Sequence, residues 1–148
     1  MDCERRRTGK MVNTSENIQT LSAEAIALLK NLIETPSFSK EEEHTAKILA
    51  DFFTSKSIPF HTKKNNLWAF NKHFDANKPT MLLNSHHDTV KPNKSWTLDP
   101  FKAVEQDGKL YGLGSNDAGG CLVSLIATFV HFYEREDLAY NIAIATTA

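Results

Sequence analysis

The stretch from Gly108 to Phe132 constrains the fold of this chain more than any other. Five of the chain's six glycines fall between Gly108 and Gly120, and the apolar run Cys121 to Phe132 follows at once. A helix that is apolar nearly all round has to be enclosed by other elements. It is too short to cross a bilayer, because Ser124, Thr128 and His131 interrupt it and it falls short of about 18 residues. The pattern predicts a buried helix from about Asp117 or Ala118 to Arg135, with Leu122, Leu125, Ile126, Phe129 and Val130 inside. The glycines before it mark backbone that adopts conformations closed to other residues or that approaches something closely.

The remaining segments supply layers for that helix. Ile26, Leu29 and Ile33, flanked by Leu28 and Leu32, have helical spacing, with Ser22 as the expected N-cap and Pro36 closing the helix. Ser39-Lys40-Glu41-Glu42 reads as a capping box for a second helix, which carries Leu49 and Phe53 on one face and runs to about Lys56. Ile58–Thr62 and Asn66–Asn71 read as short strands around a Lys63-Lys64-Asn65 turn. Thr80-Met81-Leu82-Leu83 is a buried strand that stops abruptly at Asn84-Ser85-His86-His87-Asp88. A loop is expected from Lys91 to about Gln106, then an Asp107-Gly108 turn into Lys109-Leu110-Tyr111. Tyr140–Ala145 supplies a last strand. The order of elements predicts an α/β fold, a layered sheet flanked by helices.

Composition narrows the partners. The 148 residues carry 17 Lys+Arg and 18 Asp+Glu, so no basic excess points to nucleic acid or a membrane surface. Residues 1–20 are polar and unpatterned and are expected to form a flexible leader, with residues 21–148 as the folded unit. Arg5, Arg6 and Arg7 precede no apolar stretch of signal-peptide length, and the two cysteines, Cys3 and Cys121, make no disulfide framework. The expected compartment is the cytoplasm.

Two clusters carry possible chemistry. His86-His87-Asp88 sits at a strand end, where ligands of α/β sheets bind. Imidazole suits zinc and related cations, and a neighbouring carboxylate can ligate or orient the ring. In isolation the triplet is more often incidental. Gly112-Leu113-Gly114-Ser115-Asn116-Asp117 precedes a helix as a phosphate loop does, but the carboxylate of Asp117 repels phosphate and attracts a cation. The bland reading of Asp117 is an N-cap. His44, His61, His73 and His131 suit solvated or core positions. No Gly-x-Ser-x-Gly elbow is present, and Cys121, inside an apolar helix, is a poor nucleophile.

The motifs taken in order resemble the M20 family of zinc peptidases and deacylases, which includes acetylornithine deacetylase and succinyl-diaminopimelate desuccinylase. Thr35-Pro36-Ser37-Phe38-Ser39 is similar to the family's early Pro-Ser segment, and Asn66-Leu67-Trp68-Ala69 to its Asn-Leu strand. Leu82 to Val90 is similar to its first metal-ligand strand, and Asp99-Pro100-Phe101 with Leu110 to Asp117 to its second metal segment. Leu113 with Ser115-Asn116-Asp117-Ala118-Gly119 looks closest to the acetylornithine deacetylase branch, although the family usually has Arg where Leu113 stands and Lys-Gly where Gly119-Gly120 falls.

The resemblance implies the N-terminal part of a zinc-peptidase-like catalytic domain without its lid. His86 would ligate one of two Zn2+ ions, for which cobalt may substitute, and Asp117 would bridge both. Asp88 would be the catalytic residue that orients His86, and the Asp117–Ala118 peptide would be cis. The substrate implied is a small acylated amino acid such as N-acetylornithine, and the complete protein would be a homodimer. A dipeptidase or carboxypeptidase of the same family, or a non-catalytic truncated product, are the alternatives. The family's Glu-Glu pair would begin where this sequence stops at Ala148, so the chain alone is expected to be inactive and to expose apolar faces.

Overall fold

The computed structural model describes residues 14–148, so Cys3, the arginine cluster and most of the expected leader lie outside the described residues. Helix α1 spans Thr14–Ile33 and α2 spans Glu43–Ser55. Strands β1, His61–Lys63, and β2, Asn66–Phe70, form the expected hairpin, with Lys64 in the left-handed region at φ 54°. Strand β3 is Thr80–His86, β4 Val104–Gln106 and β5 Lys109–Tyr111. A wide turn, Ser115–Gly119, leads into α3, Gly120–Phe132, and β6, Asn141–Thr147, follows.

The main sheet has the order β1-β2-β6-β3, with β6 antiparallel to β2 and parallel to β3. The last strand in the chain is therefore central, and its residues Asn141 to Ile144 and Thr146 are buried. Leu67, Ala69, Ile142 and Ile144 of the sheet meet Leu29 and Ile33 of α1, Leu49 and Phe53 of α2, and Leu122, Ile126 and Phe129 of α3 in one core. Burial of this set is the main favourable term holding the layers together. The structure is thus the α/β layered sheet with helices that the sequence predicts.

Several local expectations are corrected. The first helix begins at Thr14 and not at Ser22, because the polar residues before Leu21 still have helical backbone. Ser39 caps nothing: α2 starts after Glu42, with no side-chain cap. Strand β3 runs three residues past Leu83, since β6 continues to pair with it as far as His86. The expected loop before Asp107 contains β4, which pairs with β5 across a turn in which Asp107 and Gly108 have φ 52° and 71°. Helix α3 ends near Phe132 and is not apolar all round: Cys121, Ser124 and Thr128 form an exposed stripe, so Cys121 is outside the core.

Strand β3 is an edge of this sheet, and it exposes Met81 at 48% and Leu82 at 61%. Phe70, on β2 across the central strand, and Phe74 are also exposed, with ring centroids 5.0 Å apart. An uncharged edge strand beside exposed apolar groups invites pairing with another chain. Sedimentation of this chain is expected to show dimers or larger species that shrink on Leu82→Lys. A clean monomer for the parent chain would contradict this.

Candidate metal centre

The end of β3 is fixed on three sides. The His87 amide donates to the Thr147 carbonyl at 2.9 Å, and the Thr89 amide donates to the Ser37 carbonyl at 2.7 Å. His87 itself is buried. Its Nε2 lies 3.0 Å from the Asn65 carbonyl and its Nδ1 2.9 Å from the Thr45 hydroxyl, which in turn lies 2.7 Å from the Ser37 hydroxyl. A carbonyl only accepts, so Nε2 of His87 carries a proton, while Nδ1 meets the Thr45 hydroxyl, which also donates to the Glu42 carbonyl at 3.0 Å. His87 is thereby used up as a strut between β3, α2 and the β1–β2 turn.

His86, one residue earlier, points the other way and is half-exposed. Its Nδ1 lies 3.0 Å from Asp88 Oδ1 and 3.2 Å from the Asp88 carbonyl, both acceptors, so this nitrogen carries the proton. Nε2 is left facing Asp117 Oδ1 at 3.2 Å. Asp117 comes from the turn before α3, and its side chain is 89% exposed. In this turn Gly114 has φ 77°, a left-handed conformation suited to glycine. A Cβ on Gly119 would stand 2.5 Å from Leu29 Cδ1 and 2.6 Å from the Gly114 carbonyl oxygen, so α1 and the turn pack directly on bare backbone. The Asp117–Ala118 peptide is cis, as the motif implies.

The donor set fits a divalent cation. An imidazole with its proton on Nδ1 presents a lone pair at Nε2, and a carboxylate oxygen faces it, so two electron-rich atoms converge where only a proton or a metal ion can satisfy both. Among the described residues no group of three His, Cys, Asp or Glu side chains gathers around one point. The two sequence-predicted ligands and Asp88 do meet. Of the others, His44 is exposed on α2, His61 stacks on Trp68 at 5.5 Å, and His73 lies 3.6 Å from Glu136.

Electrostatics separates the two histidines. Burial pulls the His86 pKa down, but the hydrogen bonds and charge of Asp88, then Asp117, override it and hold it above the ordinary value. For His87, burial dominates and lowers the pKa despite the Asn65 carbonyl and the charges of Glu42 and Asp88. A histidine held neutral contributes stability that is complete above the unfolded value of about 6.5 and is lost as pH falls through the window below it. His86 acts with the opposite sign, contributing below that value and losing it as pH rises through its raised one. His87→Gln is therefore expected to cost about 1–3 kcal/mol at neutral pH, and less at pH 5. Thermal unfolding from pH 5 to 8 checks this, and a cost that does not change with pH would contradict it.

Comparison with known proteins bears on the same segments. Residues 82–148, which include His86, Asp88 and Asp117, match the model of peptidase family M20/M25/M40. Over that segment, a little under half of the chain, the sequence is similar to M20 peptidases. It is 30% identical over 144 residues to a succinyl-diaminopimelate desuccinylase of Methylibium petroleiphilum, covering 88% of this chain and 37% of that one. A desuccinylase of Blochmanniella floridana is 29% identical over 119 residues, covering 74% and 30%. The chain thus spans about a third of the length of these curated relatives. The fold agrees with solved peptidase structures. A dipeptidase of Saccharomyces cerevisiae superposes with a TM-score of 0.67 at 18% identity, covering 90% of this chain and 33% of that one. A metallo-carboxypeptidase of Sulfolobus solfataricus gives 0.65 at 22%, covering 89% and 30%.

Sequence reasoning missed two contributors. Ser39, read as a helix cap, donates from its hydroxyl to Asp88 Oδ2 at 2.9 Å. His87, given no role of its own, is the buried strut. The alternation of β3 holds the signal for His87, because residues one apart on a strand point to opposite faces.

Proposed function

We propose that this chain supplies the first half of the metal centre of an amide hydrolase that removes an acyl group from an N-acylated amino acid. The observation that carries the reading is the geometry of His86, with Nδ1 committed to Asp88 and Nε2 aimed at Asp117 Oδ1, 3.2 Å away. His86 and Asp117 would hold the cation, and Asp88 would keep the imidazole in the ligating tautomer. A divalent cation bound there, Zn2+ or Co2+, would polarise the amide carbonyl and lower the pKa of the attacking water. The protein's part is to orient His86 from behind through Asp88 and to hold the Asp117 carboxylate open to solvent at the mouth of the turn.

The names of the desuccinylase relatives support a deacylase reading over a dipeptidase one, and we take N-succinyl-diaminopimelate, beside N-acetylornithine, as a candidate substrate. The likeness to dipeptidases and carboxypeptidases rests on structures at 18–22% identity and supports the fold alone. We expect no turnover of either acylated amino acid by the 148-residue chain with Zn2+ or Co2+, because two ligands do not complete a catalytic site. A hybrid in which residues 21–148 replace the matching third of a desuccinylase relative tests the reading itself. It should hydrolyse acylated amino acids faster than dipeptides and lose at least about 100-fold on His86→Ala. Robust turnover by the chain alone, or a folded hybrid indifferent to His86→Ala, would overturn the proposal.

A further inference from the structure

Ser39 is exposed on the loop between α1 and α2, far in sequence from the metal centre, yet its hydroxyl reaches it. The loop is held in place from within. The Glu41 amide donates to the Phe38 carbonyl at 2.7 Å, closing a turn, and Lys40 takes the left-handed conformation at φ 77°. Phe38 bridges Thr89 in parallel, and both the amide and the hydroxyl of Thr89 donate to the Ser37 carbonyl. Ser37 is itself buried and hydrogen-bonded to Thr45. The result is a fixed hydroxyl directly behind Asp88.

A carboxylate turns readily about its last torsion, which is broad and roughly two-fold. Asp88 has one oxygen on the Ser39 hydroxyl at 2.9 Å and the other on His86 Nδ1 at 3.0 Å. Holding the first oxygen sets the plane of the carboxylate and so the direction in which the second accepts. We propose that Ser39 is a positioning residue for His86: it fixes the Asp88 carboxylate so that the imidazole keeps its proton on Nδ1 and its lone pair toward Asp117. In its cation-binding consequence this rests on the metal reading above; the hydrogen-bond relay does not.

The experiment compares the 148-residue chain with Ser39→Ala and Ser39→Thr by two readouts. Nitrogen-15 spectra of the histidine side chains, without metal and at a pH where His86 is neutral, report which ring nitrogen carries the proton. Titration with Co2+ reports affinity. The Asp88 carbonyl, 3.2 Å from His86 Nδ1, still favours a proton there, so Ser39→Ala should raise the share of the other tautomer without inverting it and weaken Co2+ binding roughly 10-fold, in line with the loss of an outer partner of a metal-ligating histidine. Ser39→Thr should restore both. Substitution of an exposed serine is expected to leave the melting temperature nearly unchanged, so equal melting temperatures separate positioning from unfolding. An unchanged tautomer in Ser39→Ala would overturn the relay. If the parent chain shows the single tautomer but no Co2+ binding at His86, the metal reading fails while the relay stands.

Discussion

Asp117→Asn is expected to abolish cation binding at this centre. The substitution keeps the size of the side chain and removes the charge, so the effect isolates the electrostatic contribution of the carboxylate. Asp117 is 89% exposed, and among the described residues its Oδ1 pairs with His86 alone, so the fold should not notice the change. Loss of outer partners of metal-ligating histidines already costs about 10–100-fold in affinity, and loss of one of two direct ligands should cost at least the upper end of that range. Glu105→Gln, an exposed carboxylate on β4 that pairs with Lys30, is the control and should leave affinity unchanged. Calorimetric titration with Zn2+ measures both. Equal affinities in Asp117→Asn and the parent would remove Asp117 from the site.

Phe53→Ala should have the largest effect on the fold. Phe53 is fully buried on α2, and its ring lies 6.1 Å from Phe52, 6.2 Å from Phe60 and 6.2 Å from Phe129, which joins the second helix to the third. Truncation of a buried phenylalanine costs about 3–5 kcal/mol through lost transfer energy and the cavity left behind. A domain of ordinary stability has only about 5–15 kcal/mol in total. The melting temperature should therefore fall by roughly 6–20 °C. Leu82→Ala, at a side chain 61% exposed on the edge of the sheet, should change it little. A Phe53→Ala protein that melts with the parent would mean that α2 does not close this core.

The two substitutions divide the molecule as the sequence did, with uneven success. The amphipathic faces that bury Ile33, Leu49, Phe53 and Phe129 follow from helical spacing, and the structure buries all four. The β1–β2 hairpin is legible because polar turn residues separate two segments carrying aromatic and branched residues, although β1 itself is the exposed His61–Lys63. The central place of β6 is not, since local pattern carries no information on which strand a segment will meet. Strand β4, with the single hydrophobic residue Val104, has too little pattern to announce itself.

At the proposed metal centre the readable part is the part made by chain neighbours. His86 and Asp88 lie two apart on one strand end, where alternation puts them on one face. Asp117 is a candidate through its glycine-rich surroundings, and the approach of α1 to Gly119 accounts for part of that richness. Ser39 and Thr45 are invisible from spacing, because each acts across a tertiary contact and each has a ready local explanation. Ser39 fits a capping box so well that its sequence context argues against its real hydrogen bond to Asp88.

The central claim is that Nε2 of His86 and the carboxylate of Asp117 share one divalent cation. Crystals of this chain equilibrated with Zn2+ and measured at the zinc absorption edge test it most directly. The expected result is an anomalous peak at bonding distance from both atoms, about 2.0–2.2 Å, with His86 Nδ1 still on Asp88. Zinc found only at other histidines such as His44 or His61, with none between His86 and Asp117, would contradict it.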